Sequence, residues 1–196
     1  MIDERRAREV IRSGIEDGVA LRQELGATQA DAIIAASDVL VECFKRGGKV
    51  LICGNGGSAA DSQHIAAELT GRFERPARRA LGAVALTTDT SALTAVANDI
   101  GFEEIFARQV DALGRAGDVL LALSTSGRSS NVVRATRRAA SLRMTTIAIT
   151  GPNSAELGAV ADLVIATPGL STARIQELHL TVGHLLCALV DEAFAP

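Results

Sequence analysis

With 196 residues, 47% of them hydrophobic and 22% charged, the chain can bury one sizeable core but is too short for two full domains. A net charge of −3 with no long run of either sign argues against a nucleic-acid surface or an anionic membrane as partner. No apolar run approaches the ~18 residues of a membrane span, the amino end MIDERRAREV is too charged for a signal peptide, and Cys43, Cys53 and Cys187 are scattered through apolar segments as buried reduced thiols are. A cytoplasmic protein is therefore expected. All aromatic residues are Phe, which disfavours stacking on bases or sugars and leaves ligand binding to polar side chains and backbone amides.

Two helices are expected before residue 49. The first, up to about Leu25, carries Val10, Ile11, Ile15 and Val19 as a narrow apolar stripe, a pattern that suits packing on another subunit as well as on its own domain. The second, from near Thr28, places Ile33, Ile34, Leu40, Val41 and Phe44 on a broader face and stops at Gly47-Gly48. From Lys49 the texture changes to short continuous apolar runs: Val50–Cys53, Ala83–Leu86, Val119–Leu123, Thr145–Ile149 and Leu163–Ala166. Runs of this length separated by helical stretches predict five buried parallel strands, hence a three-layer doubly wound α/β sandwich. A last helix is predicted from about Thr172 to Ala193, and no repeat or linker divides the chain. Ligands of such sheets bind beyond the carboxyl ends of the strands, where strand order reverses.

Three constellations fall at or near that rim. After the first strand comes Gly54-Asn55-Gly56-Gly57-Ser58, a turn that lets a ligand approach backbone and helix-start amides. It fits G-x-G-x-x-A through Ala59, but Asp89 lies about 35 residues beyond Gly54, where a dinucleotide's ribose-binding acid is expected nearer ~20. No Gly-Lys-Ser/Thr follows, which excludes a P-loop, so no nucleotide cofactor is expected. After the third strand, Ser124, Thr125, Ser126 and Ser129 supply more hydroxyls than helix capping requires, and phosphate binding is the better reading. On the helix that follows the glycine turn, His64 and Glu68 are an i, i+4 pair extended by Asp61, suited to a transition metal or to acid–base work.

The last helix carries Gln176, Glu177, His179 and His184. In its apolar stretch LTVGHLLCALV a core histidine would be the default reading of His184. Gln176 and His184 are about 12 Å apart along a regular helix. Either the helix begins after Gln176, or one site draws on more than one subunit.

Taken together, GNGGSAAD-x-x-H-x-x-x-E, LTAVANDIGFEEIFARQV, GDVLLALSTSGRSSNV and RIQELHLTVGH resemble the phosphoheptose isomerases of the sugar isomerase (SIS) fold, from about Thr28 to Phe194. The resemblance implies a single SIS domain over residues 1–196, with N-terminal helices over 1–48 and the α/β core over 49–196. It also implies a homotetramer with active sites between subunits. The activity implied is aldose–ketose interconversion of sedoheptulose 7-phosphate and D-glycero-D-manno-heptose 7-phosphate, the entry to bacterial heptose synthesis and lipopolysaccharide.

Residue by residue, the family pattern makes Asn55, Gly56, Gly57, Glu68, Asn98, Asp99 and Gln176 substrate contacts and gives the phosphate to Ser124, Thr125, Ser126 and Ser129. His64, Glu68, Gln176 and His184 match the zinc ligands of metal-bound members, and Glu68 and His184 match the acid–base pair. The alternatives implied by the same likeness are a non-catalytic SIS tetramer that binds the replication initiator DnaA, or an isomerase of another sugar phosphate such as arabinose 5-phosphate. The second helix histidine, His184, speaks against the DnaA-binding kind.

Overall fold

Five short aliphatic segments, Lys49–Cys53 (β1), Gly82–Ala85 (β2), Val119–Ser124 (β3), Thr145–Thr150 (β4) and Leu163–Ala166 (β5), pair in parallel in the order β2-β1-β3-β4-β5. The chain is described here by a computed structural model over residues 2–194. Helices join the strands: α1 (Glu4–Lys45), α2 (Gly57–Thr70), α3 (Thr90–Asp99), α4 (Ile105–Leu113), α5 (Ser130–Ser141), α6 (Ala155–Val160) and α7 (Thr172–Ala193), with one 3-10 turn at Phe102–Glu104. Successive strand residues face opposite sides, so each run divides between two cores. Val50, Ile52, Leu121, Leu123, Ile147 and Ile149 join the core shared with α1, α2 and α7; Leu51, Leu120, Ala122 and Ala148 join the one shared with α4 and α5. All six residues of β3 are buried, its valine and leucines contributing about 1.5–3 kcal/mol each.

The predicted strands are present, with one shifted and more exposed than expected. β2 spans Gly82–Ala85 rather than Ala83–Leu86, and Val84 is exposed because the strand is the sheet edge. A larger correction concerns the amino end, where α1 is one continuous helix of 42 residues, not two. Gly26 sits inside it at a cost of about 1 kcal/mol relative to Ala. Thr28, the expected start of a second helix, instead donates its hydroxyl to the Glu24 carbonyl at 2.8 Å, the interior pattern rather than a cap. Core packing of Leu25, Ile33, Leu40 and Phe44 carries the helix through. Its first turns stand clear of the core and leave Val10, Ile11, Ile15 and Val19 exposed.

On α7 it is His179, and not His184, that lies in the core. His179 is fully buried and neither ring nitrogen has a hydrogen-bond partner, whereas His184 is partly exposed and partnered. The Thr150 carbonyl facing His179 already accepts both the Thr167 amide and hydroxyl at 2.9 Å. Burial lowers the His179 pKa from 6.5 to about 4, against a smaller upward pull from the Thr150 carbonyl. As pH falls from 6.5 towards about 4, the unfolded chain binds a proton that the fold excludes, and stability drops by about 3 kcal/mol. His179→Leu should flatten that acid-side decline in denaturant titrations at pH 7 and pH ~4.5; an unchanged slope would reassign the effect.

Candidate active site

Strand order reverses between β1 and β3, so the loops leaving their carboxyl ends flank the crevice where ligands of such sheets bind. The β1 loop turns sharply into α2. Gly56 has φ +56°, and a Cβ at Gly54 would lie 2.7 Å from that of Ser58, so both positions require glycine. The amides of Ser58 and Ala59 are taken by the carbonyls of Asn55 and Gly56 at 3.0 Å. This loop therefore offers a ligand fewer free amides than a bare helix start would.

Asn55 is held by a residue that the sequence reading left unassigned. Its side-chain amide pairs reciprocally with that of Asn131, Nδ2 to Oδ1 at 2.8 and 2.9 Å. Asn131 is buried at the start of α5 and its Oδ1 also accepts the Val132 amide. The two rim loops are thus joined by a neutral amide pair that leaves Asn55 half-buried at the crevice. Asn131 lies inside the quoted STSGRSSNV segment, but only the cross-sheet pairing reveals its role.

The hydroxyls after β3 are not spent on capping. Ser129 stands at the N-cap of α5 without a side-chain cap bond, and its Oγ lies 3.0 Å from Ser124 Oγ. Ser126 Oγ accepts the Arg128 amide at 3.2 Å. Gly127, with φ +64°, bends this loop under the chain at Asn153–Ser154. Its carbonyl accepts the Leu157 amide, and the Thr125 carbonyl accepts that of Gly151, tying the loop to α6 and β4. The result is a short turn beside the amino end of α5 in which Ser124 is buried, Thr125 and Ser129 are half-buried and Ser126 is exposed.

The third group lies where α2 and α7 run side by side. His64 and His184 meet with their Nε2 atoms 2.8 Å apart, so one ring must donate and the other accept. Glu68 Oε1 lies 3.5 Å from His64 Nε2, which brings the carboxylate and both rings into one cluster. Phe73, from the segment after α2, stacks on His184 with centroids 5.6 Å apart and planes 30° from parallel, a contact that no motif signals.

Nearer the glycine loop, Gln176 donates to both Asp61 oxygens at 2.9 and 3.1 Å and packs against Gly57. Burial raises the Asp61 pKa, opposed by the Gln176 amide and by His64. Since α7 is continuous from Thr172, a late helix start cannot bring Gln176 to His184, and one copy holds them at separate places. Among the described residues no group of three or more His, Cys, Asp or Glu side chains is gathered tightly enough to hold a metal ion as it stands. Two ligands of a tetrahedral zinc at ~2.05 Å would sit about 3.3 Å apart, somewhat wider than the His64–His184 contact. Asn98 and Asp99, exposed at the end of α3, hydrogen-bond each other at 2.7 Å; among the described residues neither bonds another predicted site residue. Asp89 caps α3 through the Ala92 amide.

A family model described as "SIS domain" matches residues 15–151. The phosphoheptose isomerase of a Roseiflexus species is 51% identical over 177 residues, covering 90% of this chain and 89% of that protein. Among solved structures, phosphoheptose isomerase GmhA from Neisseria gonorrhoeae superposes with a TM-score of 0.90 at 43% identity, over 95% of this chain and 99% of that one. A phosphoheptose isomerase from Francisella tularensis gives 0.91 at 39% identity, over 95% and 98%.

Proposed function

The chain belongs to the phosphoheptose isomerases of the SIS-domain family, and on that footing we propose that it interconverts sedoheptulose 7-phosphate and D-glycero-D-manno-heptose 7-phosphate. It is an aldose–ketose isomerase, and the product would enter bacterial ADP- and GDP-heptose synthesis and lipopolysaccharide. The observation that carries the reading is the meeting of Glu68, His64 and His184 where α2 and α7 pack, on helices whose amino ends stand at the rim with the hydroxyl loop. Isomerisation moves a proton between C1 and C2 through an enediol, which needs a base at carbon and a partner at oxygen. Glu68 exchanges the carbon-bound proton and His184 acts as its acid–base partner at the substrate oxygens. Ser124, Thr125, Ser126 and Ser129 hold the phosphate, while Asn55, Gly56, Gly57, Asn98 and Asp99 hold the sugar.

His64, Glu68 and His184 supply nitrogen and oxygen donors of the kind zinc takes. With Gln176 contributed by another copy they would complete four, and a bound zinc ion would polarise the carbonyl and hydroxyl. Chelation should lower the rate and added zinc restore it; full activity in the chelated enzyme would make the metal incidental.

A homotetramer with shared sites fits two features. Gln176 is tied to Asp61 away from His184 in its own copy, and the free stripe of α1, from Val10 to Val19, needs a cover. No helix among the described residues is long and apolar enough to cross a membrane, and a cytoplasmic setting suits the free, buried thiols. The deciding experiment is an aldose-forming assay with sedoheptulose 7-phosphate beside ribulose and fructose phosphates. Faster turnover of either control would replace the heptose by that sugar.

A further inference from the structure

The α2–α7 junction is braced from behind by a buried ion pair. Arg78 and Asp191 expose 5% and 2% of their surface, and the Arg78 Nε–H donates to Asp191 Oδ1. The guanidinium also donates to the carbonyls of Glu68 at 2.7 Å, Leu69 at 2.9 Å and Arg79 at 2.7 Å. The second Asp191 oxygen accepts the amides of Glu74 and Arg75, both at 2.9 Å. These two amides immediately follow Phe73, the residue stacked on His184. Asp191 lies on the His184 face of α7, at i+7.

One ion pair thus touches the backbone of Glu68 directly and that of the segment backing His184 through two amides. Burying an ion pair adds little stability over a well-packed apolar contact. What this pair supplies is position: four donations from one planar guanidinium fix the last turn of α2 and residues 71–79 against α7. A lysine, with one point charge, cannot reproduce that fork.

We propose that Arg78 and Asp191 are positioning residues for the isomerase reaction, setting the separation and orientation of Glu68 and His184 through the Glu68 carbonyl and through Phe73. The proposal rests on the acid–base reading of Glu68 and His184. Arg78→Lys keeps a charge opposite Asp191, and Phe73→Leu keeps the ion pair while removing the ring behind His184. In each variant kcat should fall by about 10- to 100-fold, as for a misplacement of order 1 Å in a catalytic group. KM should stay within about two-fold because the phosphate loop is untouched. Circular dichroism and thermal unfolding establish that each variant is folded at the assay temperature; should Arg78→Lys not fold, Asp191→Asn, which keeps an acceptor oxygen for the Glu74 and Arg75 amides, takes its place with the same expected fall in kcat. Glu68→Gln, assayed alongside, separates the two ideas. Normal turnover in Glu68→Gln removes the acid–base reading and this proposal with it. An inactive Glu68→Gln with undiminished kcat in the folded positioning variants overturns the positioning role alone.

Discussion

Glu68→Gln is expected to lose turnover by about 100- to 10,000-fold, the range of a positioned general acid or base, while still binding sugar phosphate. The substitution keeps size and shape but removes the only group of the cluster that can take a proton from carbon as a carboxylate. Glu68 is partly buried, with a quarter of its side chain exposed, and lies 3.5 Å from His64, so an amide fits where the carboxylate stood. Substrate affinity, read by calorimetry with the natural ketose phosphate, should change little because the phosphate is gripped elsewhere. Wild-type kcat in this variant would remove Glu68 from the chemistry. Loss of binding together with kcat would make it a contact residue instead.

The second large effect is expected at a residue with no reactive group. A Cβ at Gly127 would lie 2.3 Å from the Ser154 carbonyl oxygen and 3.0 Å from that of Asn153, both backbone atoms that cannot swing aside. The positive φ of +64° adds strain of about 1–3 kcal/mol for a side-chain-bearing residue. Gly127→Ala should therefore push the 124–129 turn away from α6 and disperse its hydroxyls. KM should rise by more than about ten-fold with a smaller change in kcat, the signature of lost uniform binding, and Tm should fall by several degrees. An unchanged KM would place the phosphate elsewhere on the rim.

Strands could be read from the sequence because parallel sheets bury both faces, so runs such as VLLAL need no alternation to be recognised. The glycine and hydroxyl clusters that follow β1 and β3 were equally visible as candidate site residues, since their number exceeds what turns and helix caps require. What stayed hidden depends on distant pairing. Asn131 looks like any early helix residue until Asn55 faces it, and Arg78 looks like surface charge among Arg72, Arg75 and Arg79 until Asp191 encloses it. Gly26-Ala27-Thr28 reads as a break because local propensity favours one, yet packing of the following turns on the core overrides it. The histidines of α7 show the same limit. Local hydropathy makes the core the default place for His184, yet its ring meets His64 on α2 and it is His179 that is buried.

Parallel strands impose one direction on the helices that connect them, and this shapes the field a substrate meets. The amino ends of α2, α3, α5 and α7 all point to the rim, and none of these helices carries an acidic residue in its first turn. Each amino end presents about half a positive charge, offset at α3 by the capping carboxylate of Asp89 and left without a capping carboxylate at α2, α5 and α7. A protein of net charge −3 thereby offers a dianionic phosphate a locally positive mouth built largely of backbone. Attraction built this way keeps its strength across neutral pH, because peptide dipoles do not titrate.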